Sequence, residues 1–336
     1  MSNSARLPSP TVDRGPAPAQ ESRSFLRLQC PACRRDFPQD LFSSAPRLCS
    51  GCGFTISEEQ GILRALEPDR EFYFQQFVHQ YETVRAKEGR GSSSEEYYLA
   101  LPFRDLTGKN SWQWKIRSRT FRYIENHVLR DIERTCDGGC DVLDIGAGNC
   151  WLSYRMVLRG HRPVAVDLLD NDADGLGAAT HYFDHLPYPF PRFQAEMDRL
   201  PLASGQFDVV VFNASFHYSV DYERTLSEAL RCLRRPGHVV IADSPFYSSD
   251  ASGRKMVEEK RAGFERQFGF RSDSIESREY LTPQVLGELA RKSGLRWKVL
   301  KPWYGVSWAM RPVKARLLWR RPPARFYIVW GRGYGQ

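Results

Sequence analysis

Four thiols and one acidic, glycine-rich turn are the residues of this chain whose types and spacing could do chemistry. Cys30-Pro31-Ala32-Cys33 is followed, after fifteen residues, by Cys49-Ser50-Gly51-Cys52-Gly53. Two C-x-x-C pairs at that separation can form two knuckles that turn four thiolates tetrahedrally toward one Zn²⁺. Gly51 and Gly53 supply the turn freedom a knuckle needs. A site closed by four sulfur ligands keeps no open position, so this metal would be structural, and a segment so short would depend on it to stay folded. A single redox-active C-x-x-C would leave the second pair unexplained. Cys136, Cys140, Cys150 and Cys232 show no ligand spacing and are expected to be free, partly buried thiols.

The second set lies in Asp141-Val142-Leu143-Asp144-Ile145-Gly146-Ala147-Gly148-Asn149-Cys150-Trp151. β-Favouring residues lead into the glycines and Leu152 to Leu158 continues at helical spacing, so the block predicts strand, glycine turn, helix. Glycine lets the backbone approach a ligand closely, and the helix behind it presents unpaired N–H groups. A dinucleotide fold wants G-x-G-x-x-G, but Trp151 occupies the third glycine's place. Asp144 instead stands two residues before Gly146, where a carboxylate can answer a cationic amino-acid end rather than phosphates. In this pattern the stretch resembles the first motif of the class I S-adenosylmethionine-dependent methyltransferases. Asp144, Gly146 and Gly148 match the family's residues, and Cys150 stands where many members have a third glycine.

The resemblance continues downstream in the right order. Pro163 to Asp167 predicts a second strand, with Asp167 at its carboxyl end, 23 residues after Asp144. An acid there can accept both ribose hydroxyls, the role the resemblance implies. Met197 and Asp198 fall in the loop after strand three, where the family has an apolar residue stacking on adenine and an aspartate bonding its amino group. Phe207 to Asn213 is the β-branched run of strand four, and Asn213 at its end completes the expected cofactor set. His217 and Tyr218 follow at the carboxyl end of the sheet, where open α/β folds hold their ligands. Methyl transfer from a sulfonium is an in-line displacement that asks for alignment and exclusion of water, and no triad or carboxylate pair is visible. If the acceptor must lose a proton, His217 is the candidate base, because an unperturbed pKa of ~6.5 suits neutral pH. Tyr218 could orient the acceptor. An activated carbon or a phenolate would need no base.

Positioning these residues takes an α/β fold. The resemblance implies a Rossmann-like sheet of seven strands with helices on both faces, and the paired cysteines add a small N-terminal zinc ribbon. The expected division is a disordered Ser/Pro/Ala-rich tail over 1–24, the ribbon over 25–60, a helical, aromatic connector over 61–111 and the catalytic domain over 112–336. Within the connector, Glu71 to Lys87 predicts an aromatic helix and Tyr97 to Leu106 a loop capping the cofactor mouth. Trp112 to Arg134 predicts an amphipathic helix, with Ser111 as its cap and Trp112 on its apolar face. Pro236-Gly237 predicts a turn into strand five, and Thr282-Pro283 a capped helix start. Leu295 to Leu300 and Arg325 to Trp330 complete the pattern as strands six and seven.

Composition narrows the partners. With 41% hydrophobic and 26% charged residues the chain has the make-up of a soluble globular protein, and no run of ~18 apolar residues suggests a membrane span, so a cytoplasmic location is expected. The net charge is +8, yet residues 291–336 alone hold 12 Lys and Arg and no Asp or Glu. Trp303 to Pro323 mixes these cations with aromatic residues. Residues 303–325 could lie on an anionic membrane and reach a lipid or quinone-like acceptor, or contact RNA phosphates and stack on bases. A zinc ribbon ahead of such a domain also occurs in the bacterial ribosomal-RNA guanine methyltransferases, which keeps RNA as an alternative acceptor. Against it, the ribbon carries few cations, namely Arg34, Arg35 and Arg47. A small-molecule or lipid acceptor is favoured. A different class of function, an inactive methyltransferase-like interaction protein, runs against the intact acids Asp144, Asp167 and Asp198.

Overall fold

A computed structural model describes residues 26–38, 46–136 and 138–333; the tail expected over 1–24 lies outside them. The apolar β-branched runs form the middle of the molecule, because parallel strands are covered on both faces and need apolar side chains on each. The strands are β1 (Arg47–Leu48), β2 (Thr55–Glu59), β3 (Ile62–Arg64), β4 (Asp141–Ile145), β5 (Arg162–Asp167), β6 (Arg192–Gln194), β7 (Phe207–Asn213), β8 (Leu233–Ala242), β9 (Pro245–Phe246), β10 (Arg296–Leu300), β11 (Arg325–Phe326) and β12 (Ile328–Gly333). Ten of them form one sheet in the order β1-β2-β3-β6-β5-β4-β7-β8-β12-β10, while β9 and β11 pair separately. β6 through β8 run parallel, and β12 is antiparallel to both β8 and β10.

Alternation along the strands divides the core. Leu143, Ile145, Val164, Val166, Val210 and Phe212 face one layer, and Val142, Ala165, Val209 and Val211 face the other. Each large apolar side chain withdrawn from water in this way stabilises the fold by ~1.5–3 kcal/mol.

The expectation of seven strands needs correcting to ten. The seven of the methyltransferase pattern are there, from β6 to β10 across the sheet, but β3 pairs in parallel with β6 and carries β2 and β1 behind it. The four-cysteine segment is thus continuous with the main sheet. Leu28 bridges to Leu202, Gln29 N donates to Pro201 O at 3.1 Å, and Leu26, Leu28, Phe37 and Ile56 are buried in the same cluster as Leu143 and Val210.

Other expectations also shift. The helix Ser111–Ile124 continues through Glu125–Leu129 to Arg130–Glu133, but Trp114 is its buried tryptophan and Trp112 stays half exposed. Its N-cap is Asn110, whose side chain donates to the carbonyls of Glu88 and Gly89. Pro236-Gly237 lies inside β8 instead of turning into it. Cys136 and Cys140, expected free, are joined as a disulfide, brought to a Cα separation of 5.3 Å by the bend through Gly138 and Gly139. Thr282 does cap the helix Pro283–Ser293, accepting from Val285 N at 3.3 Å. No helix among the described residues is long and apolar enough to cross a membrane.

Candidate functional site

A cleft of about 360 Å³ opens at the carboxyl ends of β4, β5 and β7. Its floor is the glycine turn. Gly146 (φ +73°) and Gly148 (φ +53°) both adopt left-handed backbone, and a Cβ on Gly146 would lie 2.2 Å from that of Ser215. Only glycine lets β4 turn under the neighbouring loop here. Cys150, in place of a third glycine, takes the same left-handed conformation (φ +60°) and leads into the helix Trp151–Leu158. The backbone shape of the motif survives the substitution.

All seven residues expected to hold a cofactor line this one cleft: Asp144, Gly146, Gly148, Asp167, Met197, Asp198 and Asn213. Asp144 is fully buried; Oδ2 accepts from Ser153 Oγ at 2.8 Å, and Oδ1 has no partner among the described residues. Burial raises its pKa to about 7, the neighbouring Asp167 adding to the shift. Asp167 accepts from Gly148 N at 2.7 Å through Oδ2 and from Leu169 N at 2.9 Å through Oδ1, which ties the glycine turn to the end of β5. Burial nevertheless holds its pKa above the usual carboxylate range. Asp198 pairs with Arg224 at 3.2 Å.

The roof was not legible as such. It is the helix Pro68–Lys87, whose Phe74, Phe77 and Tyr81 face the cleft while Arg70 and Arg85 fasten its two ends. Arg70 grips Glu196 with two bonds of 2.9 and 2.8 Å, and Arg85 pairs with Asp174. The expected cap, Tyr97 to Leu106, lies elsewhere. Tyr97 and Tyr98 are buried, and Tyr98 Oη donates to Ala173 O at 2.7 Å, so this segment supports the acidic loop 171–175 from behind. Spacing did carry a signal, since Phe74, Phe77 and Tyr81 share a helical stripe, but nothing in it says what the stripe covers.

A second cavity, of about 430 Å³, adjoins the first. Phe77, Tyr81, Arg85, Arg117 and Tyr218 line both. His217 lines only the second. Its Nδ1 lies 3.2 Å from Ser244 Oγ, and burial together with Lys260 and Arg117 lowers its pKa to about 3, so the imidazole is neutral and weakly basic. Tyr218 stands between the cavities with its ring edge-on to Tyr81. Asp243, one residue past β8, was missed. It is buried, with Oδ1 accepting from Thr120 Oγ1 at 2.6 Å and Oδ2 without a partner among the described residues, and burial raises its pKa. Arg117 stacks on Trp114 and has no carboxylate at ion-pairing distance among the described residues; burial and then Arg90 and Arg85 depress its pKa to about 10.

The sulfurs of Cys30, Cys33, Cys49 and Cys52 all lie within 4.8 Å of one another, the nearest pairs at 3.5 and 3.4 Å. Tetrahedral Zn–S bonds of ~2.3 Å place sulfurs ~3.8 Å apart, so the four are compatible with one zinc ion. They sit away from both cavities.

Residues 143–241 match the family model described as a methyltransferase domain. Over 119 residues the chain is 30% identical to the arsenite methyltransferase of Aquipseudomonas alcaligenes, a match covering 31% of this chain; the chain spans about a third (33%) of the length of that curated relative. Among solved structures, the YcgJ protein of Bacillus subtilis is similar at 14% identity and a TM-score of 0.46, with 66% of this chain and 100% of that one covered. The arsenic(III) S-adenosylmethionine methyltransferase of Chlamydomonas reinhardtii is similar at 20% identity and a TM-score of 0.39, covering 64% and 73%. The glycine turn, Asp144 and Asp167 all lie inside the region that matches the methyltransferase-domain model.

Proposed function

We propose that the chain binds S-adenosylmethionine in the first cleft and transfers its methyl group to a small-molecule or lipid-like acceptor held in the second cavity. The observation that carries this reading is the shared wall: Tyr218, Arg117, Phe77 and Tyr81 border both spaces, so a donor in one and an acceptor in the other would meet there. Bound S-adenosylmethionine supplies an electrophilic methyl on a positively charged sulfur. Asp144 would hold the ammonium of its amino-acid end, Asp167 the ribose hydroxyls, and Asp198 the adenine amino group, with Met197 offering an apolar contact to the adenine and Asn213 completing the lining. The aromatic roof excludes water, which favours in-line displacement over hydrolysis.

Asp243 is the better-placed base for an acceptor hydroxyl. Its free oxygen and raised pKa suit it to take a proton, whereas His217 holds protons too weakly. The acceptor's lone pair forms the new bond to carbon, the sulfur keeps the electrons of the broken one, and the proton passes to Asp243. His217 and Tyr218 then orient the acceptor, and Arg117 offers its charge to a carboxylate or phenolate. No cysteine lines the second cavity, so thiol capture of arsenic finds no support there. The RNA alternative is weakened at the ribbon, where Arg34 is engaged by Glu228 at 2.6 Å and Arg47 faces Glu58 at 4.0 Å. Zinc on the four cysteines would be structural.

Incubation of the protein with methyl-labelled cofactor and cell extract, followed by fractionation, tests this reading. Label should enter the small-molecule or lipid fraction; label in RNA, or none anywhere, would overturn it. Asp243→Asn should lower kcat at least ten-fold with little change in KM, and His217→Gln much less.

A further inference from the structure

The segment between β10 and β11 has two unlike sides. Inward, Tyr304 is buried with its hydroxyl 2.9 Å from that of Thr120, and Trp308 packs on Phe326 and Trp112. Outward, Val306, Met310, Val313 and Leu317 recur at helical spacing through the helices Val306–Ala309 and Arg311–Leu317, and every one is exposed, Leu317 by 75%. Trp303 and Leu318 extend the stripe, and Trp319 is 96% exposed. Such a row of apolar side chains in water marks a surface that is covered in use. Lys314, Arg316 and Arg320 flank it, and the whole stretch 291–336 contains no acid.

We propose that residues 303–320 form a docking surface for an anionic bilayer. Apolar stripe and flanking cations together fit that occupant: side chains such as Leu317 and Trp319 enter the boundary between headgroups and acyl chains while the cations meet anionic headgroups. A second copy of the chain fits poorly, because a two-fold contact would bring these like charges together. RNA would answer the cations but leave Val306, Met310, Val313 and Leu317 without partners. The second cavity gives the surface a purpose. Trp308 and Arg311, from this same segment, line it, and Arg311 lies over the Trp308 ring at 3.6 Å. An amphiphilic acceptor could pass from the bilayer into the cavity beside the segment, a step that rests on that cavity being the acceptor site; the docking itself does not.

Co-sedimentation of the full chain with vesicles tests the docking without any turnover. Vesicles of phosphatidylglycerol and phosphatidylcholine should bind the parent protein, with a blue shift of tryptophan emission, and pure phosphatidylcholine should bind it at least ten-fold more weakly. Leu317→Glu with Trp319→Glu should lower partition at least ten-fold. Changing Lys314, Arg316 and Arg320 to Gln should lower it roughly a hundred-fold on the anionic vesicles and flatten the salt dependence. Both sets of variants should bind S-adenosylmethionine like the parent, which separates failed docking from a failed methyltransferase reading. Equal binding to both vesicle types, unchanged partition of the glutamate variant, or binding to structured RNA that those glutamates abolish while vesicles go unbound would each overturn the proposal.

Discussion

Burial pushes the Asp144 carboxyl up to about 7, and one of its oxygens has no partner among the described residues. An ammonium group binds the ionised form alone. As pH falls through 7 the protonated fraction grows, and a bound cation must first displace that proton, so affinity falls toward acid. Calorimetric titration with S-adenosylmethionine should give a Kd about ten-fold higher at pH 6 than at pH 8. Asp144→Asn should bind weakly and show no such slope. The glycine beneath it is constrained as tightly. Gly146→Ala combines left-handed backbone with a Cβ driven onto Ser215, and should destabilise the protein by ~2 kcal/mol or more, seen as a lower melting temperature and lost cofactor binding. These residues were legible because the chemistry fixes type and spacing together over a few consecutive positions. Asp243 was not, since an acid at a strand end has no such local companion. Its partner Thr120 lies 123 residues away.

At the scale of elements, the helix Pro68–Lys87 closes the site by clamping onto two loops at once. Glu196 is nearly buried beneath Arg70, and removing the arginine leaves that carboxylate in a poorly solvated place with the longer 4.0 Å contact to Arg199 in place of a two-bond grip. Arg70→Ala should destabilise the closed roof by about 3 kcal/mol and speed cofactor release, measurable by stopped-flow displacement. The strand–turn–helix of β4 and the helix behind it could be read from the sequence, as could the capped helix at Thr282, because both depend on neighbours in the chain. Which helix roofs the cleft could not. Tyr97 and Phe77 belong to equally aromatic stretches, and only their tertiary contacts send one behind the acidic loop and the other over the cleft. Trp112 was misplaced for a related reason: Trp114, two positions on, meets Trp151 across the helix interface.

At the scale of the whole molecule, the four-cysteine segment and the main sheet are one structure. The pairing of Leu63 with Phe193 joins them in parallel, a contact between residues 130 positions apart that no local pattern announces. With zinc on the four cysteines, its loss should reach beyond the knuckles. Chelation, or Cys30→Ser with Cys33→Ser, should lower the unfolding temperature of the entire chain in a single calorimetric transition. Two separate transitions, with the methyltransferase one unmoved, would show the segment to be an independent module. Legible charge asymmetry has a structural counterpart too, since the acid-free C-terminal stretch carries the exposed apolar stripe and also contributes Trp308 and Arg311 to the second cavity.

The proposed methyl transfer requires the carboxylate-lined cleft to bind a cationic sulfur cofactor. Titration of S-adenosylmethionine into the parent and into a folded Asp144→Ala, Asp167→Ala protein, followed by calorimetry, tests it most directly. Saturable one-to-one binding by the parent and none by the variant at millimolar cofactor is the expected result; binding by the variant as tight as the parent's would contradict it.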